Sequence, residues 1–142
     1  MTIRAILSSK GESVFSITSN TTVAEAVALL AEKRIGALPV VDHGSVRGIF
    51  SERDFITSSA KNGAAAFSAK VESVMTAPAL TVAPETGVLE ALALMTRRRI
   101  RHLPVIEDGN LIGFVSIGDL VKFRIDRIEQ EATALRDYIQ TA

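Results

Sequence analysis

The spacing of apolar positions along the chain changes several times, and each change predicts an element. Val14-Phe-Ser-Ile-Thr18 alternates apolar with polar residues and predicts a strand. Residues 1–15 as a whole form a short leader ahead of the repeated pattern described below. Val23, Ala26, Val27, Leu30 and Ala31 recur at helical spacing, so a helix is expected from about Val23 to Lys33. Asn20-Thr-Thr22 and Glu25 supply a hydroxyl cap and an early carboxylate for its start. Gly36 stands just past its end, where a left-handed cap residue belongs. Leu38-Pro-Val-Val41 is β-branched and apolar. It reads as a strand, with Pro39 implying a strand start or edge. Asp42-His-Gly44 is turn chemistry, and Val46-Arg-Gly-Ile-Phe50 is the return strand of a hairpin. Ser51-Glu-Arg-Asp54 opens a second helix with Ser51 in the capping position.

The same order then recurs. Shifted by about 65 residues, Val23-Ala-Glu-Ala-Val-Ala-Leu-Leu meets Val88-Leu-Glu-Ala-Leu-Ala-Leu-Met. Arg34-Ile-Gly-Ala-Leu-Pro-Val-Val meets Arg99-Ile-Arg-His-Leu-Pro-Val-Ile, and Gly48-Ile-Phe-Ser-Glu-Arg-Asp meets Gly113-Phe-Val-Ser-Ile-Gly-Asp. The second copy therefore predicts a strand at Leu80–Val82, a helix from Val88 to Arg98, a hairpin around Asp108-Gly-Asn110 and a helix opening at Ser116–Asp119. Each repeat is a β-α-β-β-α unit in an α/β (α+β) chain. Lys61-Asn-Gly-Ala-Ala-Ala66 reads as the connection, either helix end or loop.

After the second repeat the period becomes that of a coiled coil. Val121, Ile125, Ile128, Ala132, Leu135 and Ile139 recur at alternating steps of four and three. Two readings stand: a C-terminal helix lying on its own domain, or one that pairs with a partner chain.

Composition narrows the class. Halves of about 60–65 residues lie near the lower limit for an independent core, so they are expected to bury their apolar faces against each other. A hydrophobic content of 47% supports a folded core. A formal net charge of zero argues against a general polyanion binder, so nucleic acid is not an expected partner. The chain has no cysteine and two histidines, which excludes a disulfide framework, a thiolate metal site and a His-rich one. No apolar run approaches the ~20 residues of a membrane span. The apolar stretch within the first ten residues is too short for a signal peptide. A soluble cytoplasmic protein is the expectation.

Packing accounts for the aliphatic identities between the copies. It does not account for Gly48/Gly113, Ser51/Ser116 and Asp54/Asp119. An aspartate at a helix start can accept two hydrogen bonds from a vicinal diol. A serine one turn earlier can bind phosphate or ribose oxygen, beside backbone N–H groups and a favourable dipole. A glycine would let the backbone approach a ligand closely. The plainer readings are an N-cap for each serine and a first-turn acid for each aspartate. Arg97-Arg98-Arg99-Ile100-Arg101-His102 is the densest basic run. Arg97 and Arg98 fit a solvated helix end, whereas Arg101 and His102 lead directly into a strand and are candidate ligand contacts. No nucleophile–base pair, metal cluster or phosphate loop accompanies them, so catalysis is not expected.

These blocks resemble a tandem pair of CBS domains, often called a Bateman module. The Arg-Ile-x-x-Leu-Pro-Val strand, the Asp-x-Gly hairpin and the Gly-h-h-Ser-x-x-Asp helix opening (h, aliphatic or aromatic) occur in both repeats. Val74-Met75-Thr76 matches the usual opening of a repeat, and Ser9-Lys10-Gly11 a variant of it. The resemblance covers about residues 5–123 and implies repeats at 5–63 and 71–123, packed as a pseudo-twofold pair, with a helical extension at 124–142.

It further implies adenosyl ligands (AMP, ADP, ATP or NAD(H)) held without chemistry in clefts shared between repeats. One cleft would combine Ser51, Arg53 and Asp54 with Thr76, Leu80, Ile100, Arg101 and His102. The other would combine Ser116 and Asp119 with Lys10, Phe15, Ile35, Gly36 and Ala37. The neutral Gly36-Ala37 pair departs from the basic residues usual there, leaving Lys10 as the obvious cation of the second cleft. A regulatory, energy-sensing module acting as a homodimer on some other protein is the expected function. A structural dimerisation module with vestigial pockets is the alternative.

Overall fold

The structure is a computed structural model and describes residues 1–11 and 13–141. Its elements in chain order are α1 (Ile3–Lys10), α2 (Val23–Lys33), β1 (Ala37–Asp42), β2 (Ser45–Ser51), α3 (Glu52–Asn62), α4 (Val88–Arg98), β3 (His102–Glu107), β4 (Asn110–Ser116) and α5 (Ile117–Thr141). Two short 3-10 turns, Gly63–Ser68 and Val71–Ser73, fill the connection.

Each repeat is built on an antiparallel hairpin, β1–β2 or β3–β4. His43-Gly44 and Asp108-Gly109 have positive φ at both turn positions, which matches the twist of the flanking strands. The predicted strands at 14–18 and 80–82 shrink to single parallel bridges, Ile17 to Val40 and Val82 to Val105. Their geometry explains the prolines. Ile17 donates to the Pro39 carbonyl (3.1 Å) and accepts from Val41 (2.7 Å), so the bridge never needs an N–H at residue 39. Val82 uses Pro104 and Ile106 in the same way.

Gly36 does not close α2. Arg34 does, at φ 55°, and Arg99 closes α4 at the same angle. A left-handed arginine costs about 1–2 kcal/mol. The next residue offsets this: Ile35 and Ile100 pack against their cores and donate N–H bonds back to Leu30 and Met95.

The leader is where the structure departs most from expectation. It is helical, and Ile3, Ile6 and Leu7 form one buried face. That face joins the core of the second repeat, with Val82, Val88, Met95, Leu103, Val115 and Leu120. Backbone bonds from Ile3 to Thr86 and from Arg4 to Pro84, both 2.9 Å, fix it there, and Arg4 also pairs with Glu85 and Glu107. The segment leading into the second repeat makes the reverse journey. Val71, Val74 and Met75 join the first repeat's core with Ile17, Val23, Leu38 and Phe50. The repeats have exchanged their lead-in segments, and each core is completed by chain that precedes the other repeat.

This exchange corrects the expected role of the two glycines. A Cβ on Gly48 would lie 2.6 Å from the Thr76 carbonyl and 2.9 Å from Met75 Sδ. A Cβ on Gly113 would lie 2.5 Å from Leu7 Cδ2. The close approach that glycine permits is taken by the chain's own lead-in segments and not by a ligand.

Candidate functional site

The two Ser/Asp pairs sit where β2 passes into α3 and β4 into α5. Ser51 and Asp54 form a complete capping box. The Ser51 N–H and hydroxyl donate to Asp54 Oδ2 (2.9 and 3.0 Å), and the Asp54 N–H donates back to Ser51 Oγ (3.3 Å). Ser116 and Asp119 repeat the box, with Ser116 N–H to Asp119 Oδ2 at 2.8 Å and Asp119 N–H to Ser116 Oγ at 3.1 Å. Capping explains why both residue types occur at this spacing. It also fixes the carboxylates at the mouth of a helix with one oxygen turned away from the cap.

What meets that carboxylate differs between the copies. Thr76 donates its hydroxyl to Asp54 Oδ1 at 2.9 Å. Thr76 is held there by reciprocal 2.9 Å backbone bonds with Ile49. At Asp119 the lead-in residue is Lys10. Its ammonium donates to Asp119 Oδ2 at 2.6 Å and to the Phe114 carbonyl at 2.7 Å. Partial burial by itself would raise Asp119. The Lys10 ammonium and the Ser116 donors outweigh that and hold its carboxyl below the ordinary value.

The remaining candidates are spread over both repeats. Arg53 donates to the Arg99 carbonyl at 3.3 Å, which ties the start of α3 to the end of α4. Arg101 is exposed, and its carbonyl accepts the Ile117 N–H at 2.8 Å. Leu80 and Ile100 pack on the second repeat's core, and Ile35 on the first. Ala37 is buried opposite Ser51 in the hairpin register. Phe15 is exposed with the Lys33 ammonium 4.6 Å above its ring.

His102 lies at the junction. Its ring stacks on Phe114 at 5.5 Å and reaches Gly36, whose Cβ would meet it at 3.4 Å. It is brought against Gly36 and Phe114, and Lys10 and Asp119 are among the charges that act on it. Burial pushes its pKa down, Lys10 adds to this, and Asp119 opposes it, so the neutral ring is favoured. Sequence reasoning missed Phe114 and Glu52. Phe114 lies diagonally across the hairpin from His102 on the same face. Glu52 Oε1 would touch a Cβ on Gly36 at 3.4 Å, and its N–H donates to the Gly36 carbonyl.

Two hairpins with a Ser/Asp box at each exit, crossed by exchanged lead-in segments, agree with what comparison finds. The CBS domain matches residues 3–61 and 71–126. The chain belongs to the CBS-domain family. A mitochondrial CBS domain-containing protein of Arabidopsis thaliana, CBSX3, is 40% identical over 98% of this chain and 72% of its own. Among solved structures, a protein with CBS domains from Burkholderia ambifaria superposes with a TM-score of 0.83 at 42% identity, covering 89% of this chain and 95% of that one. The CBS domain pair of protein MJ0100, solved with 5′-methylthioadenosine and S-adenosyl-L-methionine, has a TM-score of 0.79 at 25% identity and covers 89% of this chain and 98% of that one. The fold is thus a CBS pair with a C-terminal helix. Among the described residues no helix is long and apolar enough to cross a membrane, and no cluster of three His, Asp or Glu could hold a metal ion.

Proposed function

We propose that this CBS pair is a non-catalytic regulatory module that binds an adenosyl ligand between its repeats. The ligand's diol would be taken by Asp54 in one cleft and by Asp119 in the other. The observation that carries this reading is the doubled capping box, which presents a carboxylate and a helix N-terminus at the same place in both repeats. The adenosyl compounds bound by the similar MJ0100 pair support it. AMP, ADP, ATP and NAD(H) are the candidates, joined by the two compounds bound there. The repeats are taken as 5–63 and 71–123, with 124–142 an extension.

The clefts would differ in what they select. At Asp54 a ribose displaces a neutral hydroxyl, that of Thr76. At Asp119 it displaces an ammonium, which then becomes available to a phosphate. Cytoplasmic residence and action as a homodimer on a separate protein belong to the same proposal. The homodimer is supported by the exposed apolar residue Ile56, 63% exposed, in an open groove between α2 and α3 that Val27, Ile35 and Phe55 line together with the charged Arg34 and Glu52.

Calorimetry with 5′-methylthioadenosine, S-adenosyl-L-methionine, AMP, ATP and NAD tests the reading. A hydrogen bond to a charged group contributes about 1.5–3 kcal/mol, and 1.4 kcal/mol is tenfold in affinity. Asp54→Ala and Asp119→Ala should each weaken one site by roughly 10- to 100-fold. Unchanged binding in the double variant, or no binding by the natural chain, refutes it in favour of a structural module with vestigial pockets.

A further inference from the structure

The C-terminal helix carries a second pattern that the ligand clefts leave unused. Leu120 is buried, and Phe123 packs on the second repeat's core. Beyond them every residue from Ile125 to Thr141 is exposed, about 25 Å of helix at 1.5 Å per residue. Isolated helices of about 12–15 residues are marginal in water. Yet one face of this one carries Val121, Ile125, Ile128, Leu135 and Ile139, each 43–65% exposed. The stripe lies on a different face from Leu120 and Phe123, so the second repeat does not cover it.

The charges beside the stripe identify its partner. With Ile125, Ala132 and Ile139 as one set of seam positions and Val121, Ile128 and Leu135 as the other, the flanking charges are Lys122, Arg124, Glu129, Glu131 and Arg136. In a parallel, in-register pair each flanking residue meets the one five positions on. Arg124 then faces the partner's Glu129, and Glu131 faces the partner's Arg136. Twofold symmetry repeats both pairs, and all four are attractive. In an antiparallel pair of full overlap, Ile125 would oppose the partner's Leu135. Glu129 would then meet the partner's Glu129, Glu131 the partner's Glu131, and Lys122 the partner's Arg136. Each of these contacts is repulsive.

We propose that α5 pairs with α5 of a second copy of this chain as a parallel, in-register coiled coil over Val121–Ile139. This rests on the homodimer reading and adds to it a direction and a register. It sets the two CBS pairs side by side at the same end of the coiled coil, in the arrangement of a closed twofold.

The chain has no cysteine, so one introduced thiol reports cleanly. Ile139→Cys places two thiols opposite each other only in the parallel pair. The full-overlap antiparallel pair separates them by about 27 Å, against the ~4.4–6.8 Å between Cα atoms that a disulfide needs. Mild oxidation should give a covalent dimer whose yield holds on dilution until the noncovalent dimer itself dissociates. Glu129→Arg, which faces the partner's Arg124, should weaken dimerisation roughly tenfold, and adding Arg124→Glu should restore it. A dimer mass by light scattering with no disulfide, unmoved by Glu129→Arg, overturns the coiled coil and leaves the homodimer standing. A monomer mass overturns both.

Discussion

Exchange of the lead-in segments predicts that two equivalent glycines tolerate alanine unequally. Neither Gly48 nor Gly113 lies at positive φ, so alanine strains neither backbone and, through the unfolded chain, favours folding by about 0.4–1 kcal/mol. What each new methyl group meets decides the outcome. At Gly113 it meets Leu7, through its Cδ2 and Cδ1 at 2.5 and 2.9 Å. A rotamer shift of that side chain costs about 0.5–1.5 kcal/mol, so Gly113→Ala should destabilise by no more than about 1 kcal/mol. At Gly48 it meets the Thr76 carbonyl at 2.6 Å, a backbone atom locked to Ile49 by two 2.9 Å bonds. Relief means moving the segment, which sacrifices those bonds at about 1 kcal/mol each and adds about 1–3 kcal/mol of overpacking. Gly48→Ala should therefore destabilise by about 3 kcal/mol. Urea unfolding of both variants measures this, with two further variants as controls. Leu7→Ala should relieve Gly113→Ala in part, whereas Met75→Ala should not relieve Gly48→Ala, because the obstacle there is backbone. Equal stability of the two glycine variants, or full rescue by Met75→Ala, would refute the reasoning.

Two further outcomes follow from the clefts. Lys10→Met, which installs the residue that its counterpart Met75 has, should cost about 1 kcal/mol at pH 7 and less in high salt, since Lys10 is 38% exposed. Because the folded state holds Asp119 below its ordinary 3.8, this contribution is complete above that pH and is lost as pH falls through the folded value; urea melts of both proteins should therefore converge in acid, and a gap that persists there would contradict the assignment. Arg101→Ala should weaken AMP much more than adenosine if the exposed guanidinium reaches a phosphate, and equal losses by calorimetry would remove that role.

The elements with strong local signals were legible in the chain. The helices over 23–33 and 88–98 came from their period, and the hairpins came from His43-Gly44 and Asp108-Gly109, whose positive φ follows from turn chemistry. Helix α1 was not legible because eight residues with three buried apolar positions and no side-chain cap give no local signal. Its stability comes from the second repeat's core, which no reading of residues 1–10 contains. The strands expected at 14–18 and 80–82 are reduced to single bridges for the opposite reason. Their alternation is real, yet each hairpin accepts only one parallel bridge beside its proline. Gly36 reads as a helix cap because glycine is usual there. The chain uses Arg34 in its place, since Ile35 must turn into the core one residue later. At the clefts, the opposition of Lys10 to Asp119 and of Thr76 to Asp54 was implied by family resemblance. The contact of His102 with Phe114 was open to the hairpin register, which places both on one face.

The exchange also shows how two copies of one scaffold come to present different sites. At the 65-residue offset Lys10 corresponds to Met75 and Gly11 to Thr76. The capping boxes, hairpins and helix ends are nearly superimposable in sequence, and they fix where each carboxylate stands. The lead-in segments fix what stands in front of it. Met75 is drawn into the first repeat's core and its neighbour Thr76 supplies a hydroxyl, whereas Lys10 extends along the hairpin edge and supplies a charge. Each segment is bonded to the hairpin of the opposite repeat, Thr76 to Ile49 and Lys10 to the Phe114 carbonyl. A side-chain change there alters what one carboxylate meets, while the capping box that holds the carboxylate stays the same. A ligand that displaces Lys10 or Thr76 must also act on a segment continuous with the other repeat. On the proposed adenosyl reading, a ligand at either carboxylate would touch both repeats at once, which is how binding without chemistry would bias their relative placement.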